Sequence, residues 1–339
     1  MTPTRPAWTI TLHPDPPGIH SWSVLCGLSM LARSGGIRLR IADCGIGRGQ
    51  GTWFDARHDA SGTRRHIYID TSDGASDWSE DRARRADAVW KRSPSAPHHR
   101  PLGLVAGMRS GCEPLARLAV SATTTALQRR DVWSARAAWS GLVHARQNAR
   151  LATYAEQGAG EAKVLFQTRA WSDGEMSDPG DRSALNESRA QVIRVLRDQF
   201  SDRFVGGFVD SPTARRLYPD LITSMPSDRA SYVALIGSCA VAVSTVGLHG
   251  SNPWKLAEYL AAGRAIVSEP LRFEIPETLD GVVDWFESPD ACVAAVRHLL
   301  DDDAARETRR AAAHHFWDLN ARPDSLLLRR LAEEFGVQA

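Results

Sequence analysis

Residues 241–271 read VAVSTVGLHGSNPWKLAEYLAAGRAIVSEPL, and the order of residue types in this stretch decides the fold. The apolar run around Val241 to Val243 has the composition of a buried parallel strand. Gly247 and Gly250 allow a tight turn after it. Asn252 is a good N-cap, Pro253 suits a first helical position, and Gly263 is placed to stop the helix. Ala265 to Val267 then begins another strand. A strand, a glycine-bearing loop and a helix start bring unpaired N–H groups and a positive dipole end to the carboxyl edge of a sheet, where anions bind. Lys255 falls in the first helical turn, where a cation opposes the dipole by about 0.3–1 kcal/mol unless an anion is present. Glu258 lies three residues on and could accept from the vicinal hydroxyls of a ribose. The competing reading is a surface Lys255–Glu258 pair worth a few tenths of a kcal/mol.

The segment Ser251 to Gly263, SNPWKLAEYLAAG, followed by RAIVS, resembles the nucleotide-sugar-binding segment of GT-B glycosyltransferases, particularly those related to bacterial glycogen synthases. A weaker similarity extends from about Lys163 to the C-terminus. The resemblance implies an α/β fold of two Rossmann-like domains facing each other across a cleft, with the donor in the C-terminal half. It further implies that Glu258 holds the ribose, and that Arg169, His249, Gly250, Ser251, Asn252 and Lys255 belong to the donor-nucleotide site. Arg169 and Lys255 are the cations expected to stabilise the departing diphosphate. Retaining members usually carry a second Glu eight residues before the one matching Glu258, and this chain has Gly250 there. Retaining or inverting stereochemistry therefore stays open. His249 is either a phosphate donor or a plain loop residue, and Arg169 is either a diphosphate ligand or a solvated loop arginine.

The 339-residue length accommodates two domains of ordinary size, and a 43% hydrophobic, 24% charged composition is that of a soluble globular chain. A formal charge of +1 gives no general attraction to nucleic acid. No apolar run reaches membrane-spanning length and no signal-sequence pattern opens the chain, so a cytoplasmic location is expected. Five scattered cysteines suggest neither a disulfide framework nor a zinc site. Of 41 basic residues only Lys91, Lys163 and Lys255 are lysines, so a compact ammonium is either preferred at these positions, Lys255 above all, or the three are chance survivors of an arginine-biased composition.

Alternating patterns predict a parallel sheet in the N-terminal half, with strands at Trp8 to His13, Ile37 to Cys44, His66 to Asp70, Ala88 to Lys91 and Leu102 to Ala106. Helices are expected over about 19–33, from 113 and over 132–157. The QGAGEA segment around 157–162 is the linker candidate, giving an acceptor-side domain over 1–157 and a donor domain over 158–320. By the resemblance, the terminal helix of 321–339 returns to the first domain. In the second half the predicted elements are strands at 164–167, 204–208 and 282–286 and helices at 184–200, 227–237, 289–300, 304–316 and 325–335.

Candidate bases in the first half are His20, at a predicted helix start, and Asp70 and Asp73, at the end of YIDTSDG, where ordinary turn chemistry is the alternative. WKRSP, Trp90 to Pro94, adds cations that could meet an anionic acceptor. The Arg- and Trp-bearing helix from Trp133 to Arg150 could touch a membrane peripherally or pack inward. GIGRGQG, Gly45 to Gly51, lacks the glycine order of a dinucleotide fingerprint. Asp301 to Asp303 reads as a helix cap rather than a metal motif. The expected partners are a UDP- or GDP-sugar donor and a carbohydrate, lipid-linked or small-molecule acceptor, with no cofactor and no metal. A nucleotide-sugar epimerase of the same fold, or a non-catalytic nucleotide-binding protein, are the alternatives.

Overall fold

The computed structural model describes residues 7–13, 21–42, 51–76, 79–128, 130–172 and 179–338. The chain divides into two units, Met1–Leu151 with Phe273–Glu277 and Leu319–Ala339, and Ala152–Arg272 with Thr278–Asp318.

The first unit contains β1 (Trp8–His13), α1 (Trp22–Ser34), β2 (Ile37–Ile41), β3 (Thr52–His58), β4 (Arg64–Asp70), α2 (Glu80–Ala83), β5 (Ala88–Lys91) and β6 (His99–Pro101). Its six-stranded sheet has the order β2-β1-β3-β4-β5-β6. The expected all-parallel sheet is corrected here, because β3 runs antiparallel to both β1 and β4. Thr52–His58 alternates buried and half-buried residues, and a turn closed by the Gly62 N–H to the His58 carbonyl (2.8 Å) joins it to β4 as a hairpin. Leu102 to Ala106 is buried but forms no strand, and the edge strand β6 comes before it.

Beyond β6 come β7 (Met108–Arg109), α3 (Leu115–Gln128), α4 (Val132–Gln147), β8 (Ala149–Arg150) and α5 (Leu151–Ala155), so the long helix expected to reach residue 157 is broken at β8. The last helix returns to this unit, and its Leu326, Leu327 and Leu331 share one core with Ile10, Phe54 and Ile67. Gly27 in α1 makes that approach possible, since a Cβ there would lie 2.3 Å from the Pro323 carbonyl oxygen.

The second unit runs β9 (Glu161–Thr168), α6 (Pro179–Phe200), β10 (Phe204–Phe208), α7 (Pro212–Leu217), α8 (Arg229–Ser238), β11 (Cys239–Ser244), α9 (Trp254–Ala261), β12 (Ala265–Ser268), β13 (Val283–Trp285), α10 (Pro289–Asp301) and α11 (Asp303–Phe316). The terminal helix α12 (Pro323–Phe335) belongs to the first. All pairings in the second sheet are parallel, in the order β10-β9-β11-β12-β13. A parallel bridge from Phe208 to Ile222 adds a vestigial strand outside β10. Counting that bridge, the order is 3-2-1-4-5-6, that of a Rossmann sheet. Every residue of β11 and β12 is buried, as a central parallel strand covered on both faces requires. Asp302 caps α11 by accepting from the Ala305 N–H at 2.9 Å, which accounts for the acidic run as helix chemistry.

Candidate functional site at the switch point of the second sheet

In a sheet of this order the chain leaves β9 toward one edge and β11 toward the other, so the loops after these two strands part at their carboxyl ends, the position at which such sheets form a ligand crevice. Thr168 and Arg169 end one side. Ser244 and Thr245 end the other, followed by the loop 247–253 and α9.

Lys255 reaches across this gap. Its ammonium donates to the backbone carbonyl of Gln167 in β9 and lies 5.2 Å from the centre of the Tyr232 ring. Burial, with the nearby Arg189 guanidinium, pushes Lys255 down to about 7, against the attraction of Glu258. Arg169, two residues beyond Gln167, is exposed, and its guanidinium sits 3.7 Å above the Trp171 ring. The two cations named from the sequence thus converge on the end of one strand.

Glu258 departs from its expected geometry. It pairs with Arg229, the first residue of α8, at 2.7 Å through Oε1, rather than with Lys255 one turn before it. Its other oxygen, Oε2, is buried without a hydrogen-bond partner among the described residues. A two-oxygen grip on a ribose is therefore reduced to one available oxygen, because Arg229 occupies the other. A buried carboxylate oxygen left unpaired is costly and accommodates a hydroxyl donor well.

The loop before α9 is tightly built. Gly247 N–H donates to the Ser251 carbonyl at 2.8 Å, and Ser251 and Asn252 are each 2% exposed. His249 and Gly250 both adopt left-handed backbone, at φ +57° and +68°. That costs a non-glycine residue of order 1 kcal/mol and glycine almost nothing. A Cβ at Gly250 would lie 2.8 Å from Cδ of Arg272, whose side chain fills the space beside it. The helix itself starts at Trp254 with Pro253 as its cap residue, so Asn252 lies one position outside the expected cap.

Three supporting residues were not found by sequence reasoning. Arg189 of α6 donates to the carbonyls of Arg169 (3.1 Å) and Val246 (2.9 Å) and to the Thr245 hydroxyl (3.2 Å), bracing both sides of the crevice. Burial pulls its guanidinium down to about 10. Asn186 holds the Trp171 backbone by accepting from its N–H at 2.9 Å and donating to its carbonyl at 3.0 Å. Glu269, just after β12, accepts from the Val246 N–H at 2.8 Å and the Ser188 hydroxyl at 3.2 Å. Arg189 and Asn186 stand one helical turn apart on α6, which is their only sequence signal.

Among the candidates of the first unit, His20 lies outside the described residues, as do Gly45 to Gln50. Asp70 is fully buried and its carboxylate is taken up on both oxygens, by Lys91 (3.3 Å), the Ser72 N–H (2.9 Å) and the Tyr68 hydroxyl (3.1 Å). Asp73 is paired with Arg92. The cations of WKRSP thus hold a turn inside this unit instead of facing an acceptor. Lys91 and Asp70 are both 0% exposed, so one of the rare lysines is used for internal pairing.

No protein-family model and no curated protein matches the sequence. Several solved structures match by shape. WaaG, a glycosyltransferase involved in lipopolysaccharide biosynthesis, is 12% identical with a TM-score of 0.38, covering 96% of this chain and 98% of that one. Anabaena HepE in complex with UDP and glucose is 10% identical with a TM-score of 0.37, covering 96% and 97%. A Listeria monocytogenes protein assigned as a UDP-N-acetylglucosamine 2-epimerase is 14% identical with a TM-score of 0.34. That match covers 52% of this chain, which spans only 46% of the Listeria protein's length and 35% of TarM's. At these scores the likenesses carry nothing about function, which rests on the site itself.

Proposed function

We propose that the second unit binds a nucleoside diphosphate sugar, a UDP- or GDP-sugar, and that the protein transfers the sugar to an acceptor hydroxyl as a GT-B-type glycosyltransferase. The observation that carries this reading is the placement of the Lys255 ammonium at the carboxyl end of β9, at the sheet's switch point and in the positive field of Arg189. A diphosphate there meets Lys255, the start of α9 and Arg169, while a ribose hydroxyl donates to the unpaired Oε2 of Glu258. Sugar–phosphate cleavage leaves negative charge on the nucleotide, and these fixed cations stabilise that charge as it develops. Asp70, closed in its buried pair, is no longer a good candidate base. Asp73 is likewise engaged, by Arg92, so the acceptor proton goes to His20 in an inverting reaction, or to a donor phosphate oxygen in a retaining one.

One feature favours a second reading. Gly250 with Arg272 against it stands where a donor-contacting carboxylate is usual in retaining relatives, which suits a protein that binds nucleotide without turning it over. Mass spectrometry of incubations with UDP- and GDP-sugars and pooled acceptors separates the two. Release of nucleoside diphosphate that Lys255→Ala and Glu258→Ala both suppress is the expected result. Nucleotide binding without product would select the second reading, a changed free nucleotide sugar would indicate an epimerase, and no binding would remove the site.

A further inference from the structure

We propose that the α3–α4 hairpin of the first unit is a peripheral docking surface for an anionic lipid bilayer. Residues 115–147 contain five arginines and a single acidic residue, Asp131, which lies in the turn between the helices. On α4, Val132, Arg136, Trp139, Val143 and Arg146 recur at intervals of four and three residues, which places them on one stripe. That stripe is turned to solvent: Trp139 and Val132 are each 63% exposed, Val143 is 42% exposed, and both arginines are exposed. On α3, Arg117, Val120 and Leu127 fall on a comparable stripe, with Val120 65% and Leu127 56% exposed. These four aliphatics and Trp139 make up more than half of the exposed large hydrophobics of the described chain. Single exposed apolar residues are ordinary, but helix faces on which they recur with arginine and with no acidic residue within either helix are not.

The chemistry selects the occupant. An indole prefers the headgroup level of a bilayer, aliphatic side chains enter the acyl boundary, and arginine stems lie along the apolar surface while their guanidinium groups meet lipid phosphate. A second copy of this chain fits poorly, because a two-fold contact through this face sets arginine against arginine. No described helix is long and apolar enough to cross a membrane, so the contact is peripheral. The inference is independent of the nucleotide site, which lies in the other unit.

Co-sedimentation of the full chain with vesicles of equal parts phosphatidylcholine and phosphatidylglycerol, against phosphatidylcholine alone, tests it. Binding to the anionic vesicles only, weakening with salt, is expected. Arg136→Ser and Arg146→Ser should each weaken partitioning about fivefold, from about 1 kcal/mol per basic residue at an anionic surface. Trp139→Ser should also release the protein, and because the residue is exposed the variant's melting temperature should be that of the wild type. Equal binding to both vesicle types, unchanged binding by the variants, or self-association that Trp139→Ser abolishes without any vesicle binding would each overturn the proposal.

Discussion

On the proposed function, the depressed ionisation of Lys255 gives nucleotide affinity a pH dependence whose direction follows from the structure. In the free protein burial and Arg189 push the ammonium down to about 7, so near neutrality it is charged about half the time. A diphosphate oxygen within ~4 Å favours the charged form and raises the value by about 1–3 units. The bound state therefore holds more protons than the free state, and affinity must fall as pH rises above about 7. The fall approaches tenfold per pH unit until the bound-state value is passed, for a total of about tenfold to a thousandfold. Phosphate ionises its second proton near ~6, so above neutrality the ligand does not contribute to the slope. Isothermal titration of UDP and GDP between about pH 7 and pH 9, in two buffers of different ionisation enthalpy, should show uptake of about 0.4 to 0.9 proton per nucleotide near pH ~8. In Lys255→Arg the cation stays charged and the slope should vanish. A flat affinity profile in the wild type, or the same slope in the arginine variant, would refute the placement of Lys255 against the diphosphate.

The same lysine has a consequence without ligand. Its folded value lies below the unfolded one of ~10.4, so the unfolded chain binds the extra proton and stability should rise with pH from about 7 to about 10, by up to ~1.4 kcal/mol per unit. Chemical denaturation of Lys255→Met should show that increment missing. Removing one partner of the closed Asp70–Lys91 pair leaves a buried charge, so Lys91→Met should cost about 3–5 kcal/mol in denaturant titrations. Nucleotide affinity of the folded Lys91→Met fraction should equal that of the wild type, and a selective loss of affinity would contradict a purely internal role. Gly250→Ala meets both a left-handed backbone and the Arg272 side chain and should destabilise by about 1–2 kcal/mol. Adding Arg272→Ala should recover only the steric part, and full recovery would show that the backbone angle is unimportant.

The sequence by itself determined most elements of the second unit, though not the short α7 or the bridge at Ile222. Strand, glycine loop, helix and strand over 241–271 are local patterns, and period, capping and turn residues write them directly into the chain. The positions of Arg169 and Lys255 beside predicted strand and helix ends followed from the same local logic. Their convergence did not, because the reach of Lys255 to the Gln167 carbonyl joins residues 88 apart in sequence and depends on β9 and β11 being neighbours. Tertiary structure alone decided that Glu258 gives one oxygen to Arg229, that Arg189 and Glu269 brace the crevice, and that Asp70 is sealed by Lys91. It also decided the mixed sheet of the first unit, where the order β1-β3-β4 inserts a hairpin strand whose alternation with polar residues gave only a weak pattern. Local propensity reports what each segment can become. Which carboxylates are buried, and which cation they meet, depends on long-range strand pairing and on the desolvation that pairing imposes.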